Sequence, residues 1–235
     1  MRGFMPTHST NKPVVLDNVE QCVDEILQRL GKHLRVGLPL GLGKPPELIN
    51  ALYRIRATGL ENLPRDGPAV LVCNHVSYVD ALVIGGTVYR PARFVMYYRI
   101  FEIPLLRFLF STAKAIPIAP ARENEALLEE AFDQIDAELA DGNVVCIFPE
   151  GGITRDGNVQ EFRGGIERIV ERRAVPVIPM ALGGLWGSWF SRSGSGLRRL
   201  PRRLRSRVTL RIGRPVPASE VTAARLELLV RTLRG

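Results

Sequence analysis

The chain has 235 residues, 46% of them hydrophobic and 24% charged, which excludes a disordered polymer and suits one domain with an extension. Three cysteines, Cys22, Cys73 and Cys146, form no spaced pair, which excludes a disulfide framework and a cysteine metal knuckle and suits a reducing compartment. The net charge of +8 points to an acidic partner: a membrane surface, a nucleic acid or a phosphorylated small molecule.

Residues 1–13 are small, polar and proline-containing, with no apolar core of a length that suits a secretory leader. Val19, Cys22, Val23, Ile26, Leu27 and Leu30 recur at helical spacing, so residues 17–30 are expected to form an amphipathic helix, capped by Asp17 or Asn18 and ended by Gly31. Residues 1–50 thus read as an N-terminal extension and residues 51–235 as the main domain. Residues 53–58 alternate apolar and polar, the pattern of a half-exposed strand. After a turn at residues 62–68 comes Ala69–Cys73, an unbroken apolar run expected as a strand buried on both faces, followed by a helix over about residues 78–89.

Phe94–Tyr97 reads as a short strand. Residues 99–113 are apolar but interrupted, too short to span a bilayer, and suit a core or an interfacial helix. A brief strand at 115–119 precedes a helix at 123–141, with Leu127, Leu128, Ala131, Phe132, Ile135 and Leu139 inward. Val144–Phe148 is another buried strand, and residues 165–173 a short helix. Val175–Met180 is a strand broken by Pro176 and Pro179, which places it near an edge or a bulge. The longest uncharged run, Ala174–Ser191, carries too many prolines and glycines for a spanning helix. Arg192–Arg207 holds seven arginines. Residues 207–212 alternate again, and a helix is expected from Ser219 to Arg234. Strands alternating with helices give an α/β class: a three-layer sandwich with a mixed, largely parallel sheet flanked by helices.

Two strand ends carry the chemistry. Asn74 and His75 follow the first buried strand, and Asp80 lies five residues beyond His75. Across a strand-to-helix turn that gap can bring the carboxylate back against the imidazole. One ring nitrogen then takes a proton while the carboxylate fixes the other. The second buried strand runs into Pro149-Glu150-Gly151-Gly152-Ile153-Thr154-Arg155. Glycines admit a ligand close to the backbone, and an arginine offers a planar fork to phosphate.

Asn74-His75 with Asp80, Phe148-Pro149-Glu150-Gly151 with Arg155, and Val175-Pro176-Val177-Ile178-Pro179 together resemble three blocks of the glycerolipid acyltransferases, which include the 1-acylglycerol-3-phosphate acyltransferases. The resemblance covers roughly residues 53–216. Two departures stand out. The third block is two residues longer than the family's usual Glu-Gly-Thr-Arg, and in Ile116-Pro117-Ile118-Ala119-Pro120-Ala121-Arg122 the arginine comes late. Both look like the branch related to 2-acylglycerophosphoethanolamine acyltransferase, as do Phe162–Ile169 and Gly184–Ser188.

The resemblance implies acyl transfer from acyl-CoA or an acyl carrier protein to the hydroxyl of a lysophospholipid. It implies no cofactor and no metal. His75 would be the general base and Asp80 its orienting partner. Asn74, Arg122, Glu150, Gly151, Gly152 and Arg155 would bind substrate, and Lys114 or the amides near Gly151 would serve the oxyanion. The enzyme would lie peripherally on an anionic membrane surface, at the cytoplasmic face, with the Arg192–Arg207 tract against the lipid. Two rivals use other features. One is a hydrolase with Cys73 or Ser77 as nucleophile; the other is a nucleic-acid module, against which stands the lack of aromatics interleaved with the arginines.

Overall fold

In the computed structural model the described residues are 53–102, 107, 110–111, 113–187 and 206–235. The expected N-terminal helix, nearly all of the arginine tract and about half of the 99–113 stretch lie outside them.

The elements in chain order are β1 (Tyr53–Thr58), β2 (Ala69–Cys73), α1 (Asp80–Thr87), β3 (Ala92–Tyr97), β4 (Ile116–Ile118), α2 (Glu125–Ala140), β5 (Val144–Ile147), α3 (Gly165–Arg172), β6 (Val177–Gly183), β7 (Ser206–Ile212) and α4 (Ala223–Arg234). The seven strands form one sheet in the order β1-β7-β6-β2-β5-β3-β4. Every neighbouring pair is parallel except β6 with β7.

The two-residue period of a strand sorts side chains into two cores. Val70, Val72, Val145, Ile147, Val177 and Ala181 face one way, onto Phe132 and Ile135 of α2, Ile166 and Ile169 of α3, and Leu226 and Val230 of α4. Leu71, Cys73, Cys146, Ile178, Met180, Leu182 and Leu210 face the other way, onto Val83 and Ile84 of α1. Helix, sheet and helix make three layers. Both faces of β2, β5 and β6 are covered, which is why their sequences run apolar without alternation. By contrast, β1 buries Tyr53 and exposes Arg54, Arg56 and Thr58, as an edge strand does.

Local sequence sets the ends. The Asn124 side chain caps α2 by accepting from Leu127 N at 2.9 Å, and Thr222 caps α4 by accepting from Arg225 N at 3.1 Å. The last helix is therefore shorter than the pattern suggests: Ala218–Glu220 is a separate 3-10 turn before the Thr222 cap. Gly59 ends β1 at φ 81°, and a Cβ there would meet the Ile212 carbonyl at 2.0 Å, so only glycine fits against the end of β7.

The proline-broken strand meets one of its two expected settings. It is not at an edge: β6 lies inside the sheet between β7 and β2. It does sit at a bulge. Met180 pairs with Ile212 and Val177 with Val216, so two residues of β6 face three of the neighbouring segment. Pro179 falls in that interval, opposite Val72 of β2, and its carbonyl accepts from Gly213 N at 2.8 Å. The donor that proline lacks is missing where the ladder is already interrupted, so the proline is tolerated in the interior.

Candidate active site

β2, β5, β3 and β4 run parallel, so the turns after them gather at one rim, where open α/β sheets bind ligands. His75 leaves β2 there, and Phe148 leaves β5. Asp80, the first residue of α1, turns its carboxylate back across the intervening turn. Its Oδ2 accepts from His75 Nδ1 at 2.8 Å, from Val76 N at 2.7 Å and from Ser77 N at 3.0 Å. Two backbone N–H groups already donate to Oδ2, which makes it an acceptor, so the tautomer that suits this contact carries its proton on Nδ1 and leaves Nε2 as the acceptor nitrogen. Asp80 is fully buried, and its Oδ1 accepts no hydrogen bond. The His75 side chain retains 22% of its exposure. An imidazole held in this way, with one face open, can take a proton on its free nitrogen.

Three further contacts hold that imidazole. Its ring stacks on Phe148 with centroids 4.3 Å apart and planes 19° from parallel. Glu150 Oε1 accepts the His75 backbone N–H at 2.8 Å while Oε2 accepts that of Gln160 at 3.0 Å. Thr154 N donates to the His75 carbonyl at 2.9 Å. The β5–α3 loop thus clasps the histidine's backbone from both sides. Burial pushes the Glu150 carboxyl above its ordinary range, and the two backbone N–H groups and the nearby imidazole offset part of that rise.

The loop beyond Glu150 ties itself together. Asp156 accepts from Asn158 N and from the Asn158 amide, both at 2.9 Å, and from the Thr154 hydroxyl at 2.8 Å. These donors hold its carboxyl down at about 2. The Gln160 amide donates to Asp156 Oδ1 at 2.9 Å and to Thr154 Oγ1 at 3.2 Å. Arg155 stands on this tied loop, exposed.

The remaining residues of interest fall into two groups. Asn74 is fully buried, donating to the Leu182 carbonyl at 3.0 Å and accepting from Leu182 N at 2.7 Å, so its amide clasps the end of β2 to β6 from inside the core. Gly151, Gly152, Lys114, Arg122 and Arg155 are exposed. Among the described residues the side chains of Lys114, Arg122 and Arg155 make no hydrogen bond or ion pair. Lys114 takes φ 51° at the bend entering β4. Phe148 and Gln160 share the histidine's surroundings. Phe148 was legible as the end of its strand and the start of a resembling block, but not as the ring beneath His75, and Gln160 left no signal.

The two candidate nucleophiles of the hydrolase reading are placed unfavourably. Cys73 and Ser77 are fully buried. Burial pushes the Cys73 thiol well above its ordinary value, with the Cys146 sulfur and the Asp80 carboxylate adding to it. Among the described residues no helix is long and apolar enough to cross a membrane, and no group of three or more His, Cys, Asp or Glu residues could hold a metal ion.

Similarity to known proteins bears on this site. A chloroplastic 1-acyl-sn-glycerol-3-phosphate acyltransferase of Arabidopsis thaliana is 31% identical over 137 residues, which are 58% of this chain and 38% of that protein. The 1-acyl-sn-glycerol-3-phosphate acyltransferase of Borreliella burgdorferi is 24% identical over 136 residues, 55% of this chain and 51% of that one. The chain therefore spans between about two fifths and one half of the length of these relatives. The crystal structure of the 1-acyl-sn-glycerophosphate acyltransferase from Thermotoga maritima superposes with a TM-score of 0.61 at 23% identity, covering 77% of this chain and 71% of that one, a likeness of fold. The family model described as Acyltransferase matches residues 54–183, more than half of the chain and the span that holds His75, Asp80 and the whole β5–α3 loop, so the chain belongs to the acyltransferase family.

Proposed function

We propose that this chain transfers an acyl group from a thioester, acyl-CoA or acyl carrier protein, to the free hydroxyl of a lysophospholipid, 1-acylglycerol-3-phosphate foremost. The observation that carries the reading is the bond of 2.8 Å between His75 Nδ1 and a fully buried Asp80 carboxylate, with the ring still partly open at the strand-end rim. The names of the relatives supply the substrate class.

Each part then has a task. His75 Nε2 takes the proton of the acceptor hydroxyl as its oxygen attacks the thioester carbonyl. Asp80 holds the tautomer and stabilises the imidazolium. The tetrahedral intermediate collapses, and the proton returns from the imidazolium to the leaving thiolate, so no acyl-enzyme is needed. General-base help of this kind is worth about a hundred- to ten-thousandfold. Arg155 and Arg122 bind acceptor phosphate, and the exposed backbone at Gly151 and Gly152, or Lys114, faces the oxyanion. Glu150 and Asn74 act through the backbone they hold. The chain works from an anionic membrane surface without spanning it, its positive charge and the Arg192–Arg207 tract providing the attraction.

The test is product analysis by mass spectrometry after mixing the chain with acyl-CoA or acyl carrier protein and a panel of lysolipids. The expected product is the diacyl ester of 1-acylglycerol-3-phosphate. Acylation of only an ethanolamine- or amino-acid-headed lysolipid moves the acceptor to that class, which the lengthened Glu150–Arg155 segment and the late Arg122 favour. Free fatty acid as the sole product defeats the transfer reading.

A further inference from the structure

Arg163 lies just beyond the clasped loop and has no role in the base. Its backbone is fixed on both sides: Arg163 N donates to the Pro149 carbonyl at 3.0 Å, and Phe162 N donates to Glu227 Oε2 at 3.0 Å. From that anchored backbone the side chain runs over Gly151. Arg163 Cζ is 2.7 Å, and Nε and Nη1 each 2.9 Å, from where a Cβ on Gly151 would stand. The guanidinium thus occupies the space that glycine leaves empty, one residue from the Glu150 that holds His75.

Elsewhere on this face the arginines are matched to carboxylates. Arg168 bonds Glu129, Arg172 bonds Asp133 at 2.6 Å, and Arg173 bonds Asp136 at 2.6 Å and 2.8 Å. Arg163 is exposed, and among the described residues its guanidinium has no carboxylate, carbonyl or ring partner. A fork of N–H donors held against backbone, with its charge unmatched, is suited to a phosphate dianion.

We infer that Arg163 is a phosphate-binding arginine of this site, acting with Arg155 from the opposite end of the same loop on a phosphate of one of the two substrates. The inference rests on the acyl-transfer reading for its substrates and goes beyond it in giving a role to Arg163, which that reading left without one. It also gives Gly151 a second reason to be glycine: any side chain there displaces the guanidinium.

The test is steady-state kinetics of the full chain carrying Arg163→Ala or Arg163→Met, the methionine covering Gly151 without charge. If the phosphate is the acceptor's, KM for 1-acylglycerol-3-phosphate rises about ten- to a hundredfold in both variants, as expected for losing a charged hydrogen-bond pair, while monoacylglycerol is little affected. If it is the donor's, KM for acyl-CoA rises instead and acyl-pantetheine, which lacks the nucleotide phosphates, is unaffected. Either pattern supports the assignment. Wild-type kinetics in a folded Arg163→Met variant, or an equal loss with phosphorylated and unphosphorylated substrates, overturns it. Calorimetry with glycerol 3-phosphate and with CoA separates this from failure of the transfer reading. A wild type that transfers no acyl group but binds either ligand more tightly than Arg163→Met keeps the site. Equal or absent binding of both removes it.

Discussion

Two connections meet at His75, and they are built on opposite plans. The β2–α1 turn is short, and its polar demands converge on one buried oxygen, Asp80 Oδ2, which serves the imidazole and two backbone amides. The β5–α3 loop is long and exposed, and it spreads its hydrogen bonds over Thr154, Asp156, Asn158 and Gln160. The short turn has no redundancy, so its failure should be abrupt. The long loop can lose one bond and keep its shape. Between them stands Glu150, whose two oxygens each hold one side.

The largest effect is expected from breaking the short turn. His75→Ala or Asp80→Asn should lower acyl-transfer turnover by about a hundred- to ten-thousandfold, with circular dichroism unchanged, because the base or its tautomer is lost. Turnover within a few-fold of wild type in either folded variant would refute the assignment. Next comes the joint. Glu150→Ala leaves the His75 and Gln160 amides without their acceptor, so urea unfolding should show a loss of about 1–3 kcal/mol for each, and turnover should fall as the histidine loosens.

Breaking the long loop alone should do less. Asp156→Ala removes the exposed hub to which Thr154, Asn158 and Gln160 all donate; because that hub is open to solvent the unfolding midpoint is expected to stay nearly unmoved, while KM for the acceptor rises as Arg155 loses its footing, and a large drop in midpoint would show that the loop supports the fold as well. The smallest effect is one of pH. Burial raises the Glu150 carboxyl above its ordinary range, so the folded chain holds that proton more tightly than the unfolded chain. The stability this confers is present below the usual glutamate value and is lost as pH rises through the raised one. Wild type measured against Glu150→Gln should therefore lose relative stability across the window just above the usual glutamate range, and a relative gain there would reverse the sign.

The same contrast explains what could be read before the structure. The β2 strand, its histidine and the five-residue step to Asp80 are local, and strand period and turn length suffice to put them together. The helices and strands were legible for the same reason, apart from ends set by caps such as Thr222. Long-range matches left no such trace. Asn74 looked like a substrate ligand because nothing nearby in sequence shows that Leu182 takes both ends of its amide. Glu150 looked like a substrate ligand, and nothing nearby in sequence shows that its oxygens hold the backbone amides of His75 and Gln160. Pro179 left an edge and a bulge both open because a proline's tolerance depends on how the neighbouring strand pairs, and that neighbour carries one extra residue between Ile212 and Val216.

The outermost strand has a bearing on how the protein is made. Among the described residues β1 pairs with β7 alone, Tyr53 opposite Ser206, so the first described strand of the sheet to leave the ribosome waits for the last. At about 5–20 residues per second, the intervening stretch of roughly 150 residues takes about 8 to 30 s to synthesise, and for that time the bare edge must be kept from foreign partners. A recombinant fragment trimmed at Gly183 would make the wait permanent: it keeps the His75–Asp80 pair but orphans β1 and uncovers one edge of β6, a recipe for inclusion bodies. Expression boundaries for this chain therefore belong beyond Ile212.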